Sequence, residues 1–186
     1  GLGDVYKRQP MNAIVGMTKL AEIHIEDREK VKDCLYKIGI SSKHLLELIN
    51  DVLDMSKIES GKLVLTSESF SLTELIQRNI AIVNPQYQAK NQVFVTETKD
   101  IRHEYLLGDS LRFNQVLLNL LSNAGKFTPE NGTITLTVKE LPQKHSGHAV
   151  YRIAVADTGI GISPEFLPKL FLPFERERSR HQNQAE

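Results

Sequence analysis

The first third of the chain has apolar residues at intervals of three and four, the spacing of a helix face. This spacing across residues 11–25 predicts a first helix, with Pro10 in its first turn. A second helix follows, with a heptad seam at Leu35, Ile38, Ser42, Leu45, Ile49, Val52 and Ser56. Leu46 and Leu53 widen that seam beyond what two helices need. We therefore expect an α-helical hairpin that forms a four-helix bundle as a dimer.

The pattern changes after Gly61, a residue suited to a helix C-cap. Ser71 and Glu74 have the spacing of a capping box and predict a helix start, and another helix is expected at about residues 110–125. A last short helix is expected after Ser163 and Pro164.

Alternating apolar and polar residues predict the strands of this second region. They lie at about residues 93–96, 105–107, 133–138 and 151–156. We expect the last two to pair antiparallel around a polar loop at residues 141–148. A polar tail occupies residues 175–186. The predicted fold class is thus a helical hairpin followed by an α+β domain, with the boundary between about residues 60 and 69.

Charge and cysteine content exclude several functions. The 23 basic and 23 acidic residues balance, so the chain offers no excess positive charge for nucleic acid. Cys34 is the single cysteine, which rules out an internal disulfide and agrees with a cytoplasmic protein. Since no apolar run approaches the roughly 18 residues of a membrane helix, we expect membrane attachment only through regions outside this sequence.

Candidate chemistry begins on the helix at residues 110–125 and just beyond it. Asn119 and Asn123 lie one turn apart, with Lys126 beside them. An amide oxygen is a hard ligand that suits Mg²⁺, and an ammonium group neutralises phosphate. Asn123 is the candidate metal ligand. Taken alone, the same residues also describe a solvated helix end.

A second motif follows the last predicted strand. Asp157, Gly159 and Gly161 form an Asp-x-Gly-x-Gly turn. The carboxylate could accept a hydrogen bond from an exocyclic amine, and the glycines let the backbone approach a base closely. By itself, such a turn is also a common way to leave a strand.

Together with Phe171 and Phe174, these motifs resemble those of sensor histidine kinases. Residues 119–127 look like the N-box, 157–161 like the first glycine box and 170–175 like the phenylalanine box. Residues 11–14 and 56–62 are similar to the two ends of the dimerisation and phosphotransfer hairpin.

The resemblance implies a homodimer and an α+β two-layer sandwich of the GHKL histidine kinase ATPase type, which binds ATP and Mg²⁺. It implies that Asn119, Asn123, Lys126 and Phe127 line the phosphate side and that Asp157 meets the adenine amine. In the parent protein, phosphate would pass to a histidine and then to the receiver domain of a response regulator.

DNA gyrase and MutL share this ATP-binding fold, so an ATP-hydrolysing enzyme is the first alternative. Those proteins have a glutamate where this chain has Asn119, and an amide cannot act as a general base. Asn119 therefore favours phosphotransfer. The second alternative is a nonenzymatic module for dimerisation and nucleotide binding.

The chain departs from the family at three points. The family's phospho-accepting histidine lies five residues before the proline, where this chain has Val5, and Tyr6 replaces its acidic neighbour. Residues 4–9 match the translation of a sequencing-library transposon end, so we interpret residues 1–9 as foreign. No second glycine box precedes Glu186, and Gly125 is expected to loosen its helix by up to about 1 kcal/mol relative to alanine.

These considerations divide the chain into three parts: a foreign segment at 1–9, an incomplete phosphotransfer hairpin at 10–61 and an ATP-binding domain at 68–186. The fragment alone is expected to be inactive as a kinase.

Overall fold

A computed structural model describes residues 2–142, 147–172 and 175, with side chains described from residue 8 onward. The chain divides into two compact units. One contains the residues up to Val64 and those from Lys169 on, and the other spans Leu65–Pro168. Residues 143–146 of the predicted polar loop, Phe174, and the predicted tail after residue 175 lie outside the described residues.

The first unit contains the predicted helical hairpin, built from α1 (Leu2–Ile23) and α2 (Arg28–Glu59). The prediction that Pro10 lies in the first turn of the first helix was wrong, because α1 starts at Leu2 and Pro10 lies well inside it. Proline has no N–H to donate, so the helix continues past it with one backbone hydrogen bond missing.

Both ends of α2 are capped by residue types common at those positions, an aspartate at the start and a glycine just after the end. The Asp27 side chain accepts a hydrogen bond from the Lys30 N–H at the start of the helix. At its end, Gly61 has φ +66°, a left-handed conformation that glycine adopts without strain. This confirms the predicted stop.

The predicted heptad seam of α2 divides between two faces of the helix. Ile38, Leu45 and Val52 are half-buried, whereas Leu35 and Ile49 are exposed. The seam is therefore not one continuous packing surface within the monomer.

The second unit is the predicted α+β two-layer sandwich. Its elements are β1 (Glu68–Ser71), α3 (Leu72–Ala89), β2 (Val93–Lys99), β3 (Tyr105–Gly108), α4 (Ser110–Phe127), β4 (Thr133–Leu141) and β5 (Val150–Asp157). β2 pairs parallel with β4, and β4 pairs antiparallel with β5 as predicted. β1 and β3 form a separate antiparallel pair.

The core lies between the two helices and the sheet. β4 is the central strand of β2-β4-β5, and its Ile134, Leu136 and Val138 are completely buried. Leu121 of α4 and Tyr87 of α3 are also fully buried in this cluster. Helix α4 is therefore held on the sheet by its apolar face, and its other face is left for function.

Side-chain caps are present at two predicted helix starts, Ser71 and Ser163, but only the first is followed by a full helix. The Ser71 hydroxyl accepts from the Glu74 N–H at 3.1 Å, as the capping box predicts. Ser163 likewise accepts from the Phe166 N–H at 3.3 Å. The helix predicted there is only a 3-10 turn, Leu167–Lys169, so that prediction was wrong in extent.

Candidate nucleotide-binding site

Four of the candidate residues share the exposed side of α4. The helix begins at Ser110, where the Asp109 side chain accepts from the Arg112 N–H at 2.9 Å. Asn119, Asn123, Lys126 and Phe127 are all exposed. Helical spacing thus presents two amides, a cation and an aromatic ring on an open face.

Two of these side chains also interact with each other. The Lys126 Nζ atom lies 5.1 Å from the centre of the Phe127 ring, a cation–π contact. This contact keeps the ammonium group at the end of the helix beside the ring.

The glycine turn begins where β5 ends. Asp157 is the last residue of the strand, and its Oδ1 accepts from the Gly159 N–H at 2.9 Å. Thr158 is bonded in both directions to Thr133 at the start of β4: its N–H donates to the Thr133 carbonyl at 3.0 Å, and its Oγ1 accepts from the Thr133 N–H at 2.9 Å. The carboxylate is therefore exposed on a turn that the neighbouring strand holds in place.

The two glycines of this turn are required for different reasons. A Cβ on Gly159 would lie 2.6 Å from Asp157 Oδ1 and 2.7 Å from the Phe127 carbonyl oxygen, so no side chain fits there. Gly161 has φ +69° and nothing within 4 Å of the position of a Cβ. The second glycine therefore leaves open space beside the backbone, as a closely approaching ligand would need.

The asparagine helix and the glycine turn meet at a single backbone hydrogen bond. The Ile160 N–H donates to the Phe127 carbonyl at 3.3 Å, across 33 residues of sequence. Together with the close approach of Gly159, this bond brings the two predicted motifs into one site. Phe171 is 94% exposed, and Phe174 lies outside the described residues.

Position 125 corrects an expectation from the sequence. A Cβ on Gly125 would lie 2.4 Å from Cε1 of the buried Tyr87 ring, so glycine is needed for the two helices to pack. The Tyr87 hydroxyl donates to the Leu121 carbonyl at 2.8 Å, which fixes the ring in this place. The prediction that Gly125 loosens the helix relative to alanine considered the helix alone and left out this contact with Tyr87.

Sequence reasoning missed two residues beside the site, Lys90 and Gln92. Both side chains donate to backbone carbonyls at the end of α4. No local pattern could reveal them, since their partners are more than 30 residues away in sequence. In the described part of the chain, no group of three His, Cys, Asp or Glu side chains could hold a metal ion, and no helix has the length and apolar character needed to cross a membrane.

Two family models match the chain. The His Kinase A (phospho-acceptor) domain matches residues 8–61, and the histidine kinase-, DNA gyrase B- and HSP90-like ATPase matches residues 108–186. The first match corresponds to the helical hairpin, and the second covers the sandwich from α4 onward, including the candidate residues on α4 and the glycine turn.

Known proteins with the same arrangement are histidine kinases. The chain is 41% identical over 169 residues to the sensor histidine kinase GacS of Pseudomonas protegens, covering 91% of this chain and 18% of GacS. Among solved structures, histidine kinase ThkA in complex with response regulator protein TrrA is 30% identical, with a TM-score of 0.65, covering 91% of this chain and 48% of that one. Full-length ShkA in complex with AMPPNP is 28% identical, with a TM-score of 0.60, covering 86% and 33%.

The fold and the two motifs define a nucleotide-binding domain joined to a phospho-acceptor-type hairpin. The chain belongs to the sensor histidine kinase family. It spans less than a quarter of the length of the curated relatives that match first.

Proposed function

We propose that the second unit binds Mg-ATP. In an intact parent protein, it would be the ATP-binding domain of a protein-histidine kinase of a two-component system. The observation that carries this proposal is the hydrogen bond from Ile160 to the Phe127 carbonyl, which joins the amide-bearing helix to the glycine turn. The AMPPNP in the ShkA structure supports a nucleotide as the ligand of this fold.

Each candidate residue has a role that its chemistry suits. Asn123 would ligate Mg²⁺ through its amide oxygen, with Asn119 beside it, and Lys126 would neutralise phosphate charge. Asp157 would accept a hydrogen bond from the adenine amine, and Gly161 would allow the base to approach the backbone. The bound metal would supply charge stabilisation to the transferred phosphoryl group.

The donor set fits a metal-bound nucleotide. The amides, the ammonium group and the carboxylate are all exposed, and the backbone at Gly161 is open. The Phe127 ring, exposed beside Lys126, would cover an apolar part of the ligand. Contacts of Phe171 and Phe174 with the nucleotide stay a prediction from the sequence.

The parent's phosphoryl acceptor would be a histidine in the first helix, and a response-regulator receiver domain would then take the phosphate. The ThkA complex with a response regulator supports that partner. In this chain Val5 stands at the acceptor position, so residues 1–9 do not supply the nucleophile. The hairpin at 10–61 would supply the dimer.

Nucleotide binding is the direct test. We expect calorimetry with Mg²⁺ to show weak ATP binding and weaker GTP binding, because a carboxylate acceptor at Asp157 matches an amine and disfavours a carbonyl. Asp157→Asn should lose the preference for adenine, and Asn123→Ala should weaken the dependence on Mg²⁺.

Asp100→Asn is the matched control, since it makes the same chemical change at an exposed position beside Lys139, near the other end of β4. It should bind ATP as the unmodified chain does. Equal affinities of the unmodified chain for ATP and GTP would count against Asp157 as the adenine acceptor.

A gyrase-like ATPase is the alternative enzyme class. It would need a general base near the phosphates, and Asn119 cannot serve as one. Hydrolysis of ATP to ADP by the chain at a rate that Asn119→Ala does not change would place the base elsewhere and support that alternative. A nonenzymatic module would bind ATP without turnover.

A further inference from the structure

The end of α4 carries Lys126 and Phe127, so the conformation of this helix end determines where these two candidate binding residues lie. The last four carbonyls of any helix lack partners within the helix and need other donors. In α4 the first of them, on Ala124, accepts from the Thr128 N–H at 3.0 Å. The last, on Phe127, accepts from Ile160 of the glycine turn.

The two carbonyls between them are capped by side chains of the turn that follows α3. Lys90 Nζ lies 2.8 Å from the Gly125 carbonyl oxygen and 3.2 Å from that of Lys126. An ammonium group here also interacts favourably with the negative end of the helix dipole.

Gln92 extends this cap past the end of the helix. Its side chain is buried, and its Nε2 lies 3.1 Å from the Gly125 carbonyl oxygen and 2.7 Å from that of Thr128. The backbone of the same turn adds two further bonds: the Lys90 carbonyl accepts from the Asn131 N–H at 3.2 Å, and the Val93 N–H donates to the Gly132 carbonyl at 2.8 Å.

We infer that Lys90 and Gln92 are positioning residues for nucleotide binding: by capping the end of α4, they hold Lys126, Phe127 and the attached glycine turn in their binding geometry. This inference rests on the proposed function. Neither residue needs to touch the ligand, because each acts through the backbone carbonyls that it binds. Without the cap, the last turn of α4 would fray and its link to Ile160 would weaken.

The test uses the full chain and compares Lys90→Met with Lys90→Arg. We expect Lys90→Met to weaken Mg-ATP binding on the order of tenfold, the value of one charge-assisted hydrogen bond. Lys90→Arg keeps the cationic donor and should bind ATP close to the unmodified chain. Gln92→Leu, a second variant, removes the amide cap without changing charge and should also weaken binding.

Lys139→Met is the control, since it also removes one lysine charge. Lys139 lies near the end of β4 opposite to Thr133 and the glycine turn, and its partner is Asp100. It should leave ATP affinity unchanged. A loss as large as that of Lys90→Met would mean that net charge, and not the cap, sets affinity, and would overturn the inference.

Hydrogen exchange without nucleotide gives a readout that does not depend on binding. Lys90→Met should speed exchange of the amides of residues 125–128 and leave the amides of β5 protected. Unchanged exchange of residues 125–128 in Lys90→Met would overturn the inference. So would an ATP affinity of Lys90→Met equal to that of the unmodified chain, provided that the unmodified chain binds ATP. An unmodified chain that binds no ATP at all would instead overturn the proposed function.

Discussion

At position 125, two rules of helix stability oppose each other. Alanine is favoured over glycine inside a helix by up to about 1 kcal/mol, but a Cβ here would meet the Tyr87 ring at 2.4 Å. The ring cannot move away freely, because it is fully buried and its hydroxyl is bonded to Leu121. Burial also raises the pKa of Tyr87 to about 12, so the hydroxyl stays protonated as a donor.

We therefore predict that Gly125→Ala destabilises the chain by about 1–3 kcal/mol, the usual cost of overpacking. Urea denaturation measures this difference. Tyr87→Leu should be destabilising alone but should remove most of the extra cost of Gly125→Ala in the double variant. Greater stability of Gly125→Ala than of the unmodified chain would show that helix propensity outweighs packing here.

Glu140 is a buried carboxylate in a dense set of donors. It accepts from the Arg102 N–H at 2.6 Å, from the His103 N–H at 3.0 Å and from the hydroxyl of Tyr151 at 3.3 Å. The His103 ring also lies 2.6 Å from it. The Arg102 hydrogen bond, followed by those from His103, holds the pKa of Glu140 at about 2, below the ordinary 4.5.

This lowered pKa predicts a pH dependence of stability. A carboxyl group whose pKa falls on folding stabilises the folded state above its ordinary pKa, and this contribution is lost as the pH falls from 4.5 to about 2. We expect the urea midpoint to drop between about pH 5 and about pH 2, and less so in Glu140→Gln. Glu130→Gln, in an exposed turn, should keep the full dependence. An equal drop in Glu140→Gln would show that other groups cause it.

At the scale of elements, helix α2 leaves a row of apolar side chains exposed in the monomer. Leu46, Ile49 and Leu53 are 61%, 43% and 52% exposed and lie along one side of the helix. An exposed row of this kind is typical of an interface. A second copy of the hairpin would cover it and complete the four-helix bundle.

We predict that the chain dimerises at micromolar concentration and that Leu46→Glu with Leu53→Glu makes it monomeric, because buried carboxylates would face each other. Sedimentation velocity measures the change. Ile40→Glu is the control: Ile40 is 53% exposed but lies about 120° around the helix from Leu46. This variant should remain dimeric. A monomeric unmodified chain would contradict the prediction.

At the scale of the whole molecule, ATP binding and phosphoryl acceptance are separate properties. Val5 has no nucleophilic nitrogen, and Tyr6 lacks the carboxylate that would activate one. Bound ATP therefore has no acceptor at the family's position.

We predict that the chain does not autophosphorylate, and that Asp4→Ser, Val5→His and Tyr6→Glu together allow labelling. Labelling should increase further when a second glycine box is appended after Glu186, because a lid holds the triphosphate in place. The measurement is acid-labile, base-stable incorporation of γ-labelled phosphate. Label on the unmodified chain would mean that one of its six histidines accepts phosphate.

The sequence alone determined the fold class and most of the elements. Helical spacing located α4 to within two residues, and the heptad seam lay inside α2 but did not reveal its start at Arg28. Ser71 marked the start of α3 and Gly61 the end of α2, because caps act locally. The strand at Glu68–Ser71 was missed, since four residues with a single apolar member show no clear alternation.

The tertiary structure decided what depends on contacts distant in sequence. It paired Tyr87 with Gly125, joined Ile160 to Phe127 and placed Lys90 and Gln92 at the end of α4. Local periodicity records which side of an element is buried, but not which element covers it. The motifs in the sequence therefore predicted the side chains that would contact a nucleotide. The residues that hold those side chains in place could be found only from the structure, which shows which groups donate to the backbone carbonyls at the end of α4.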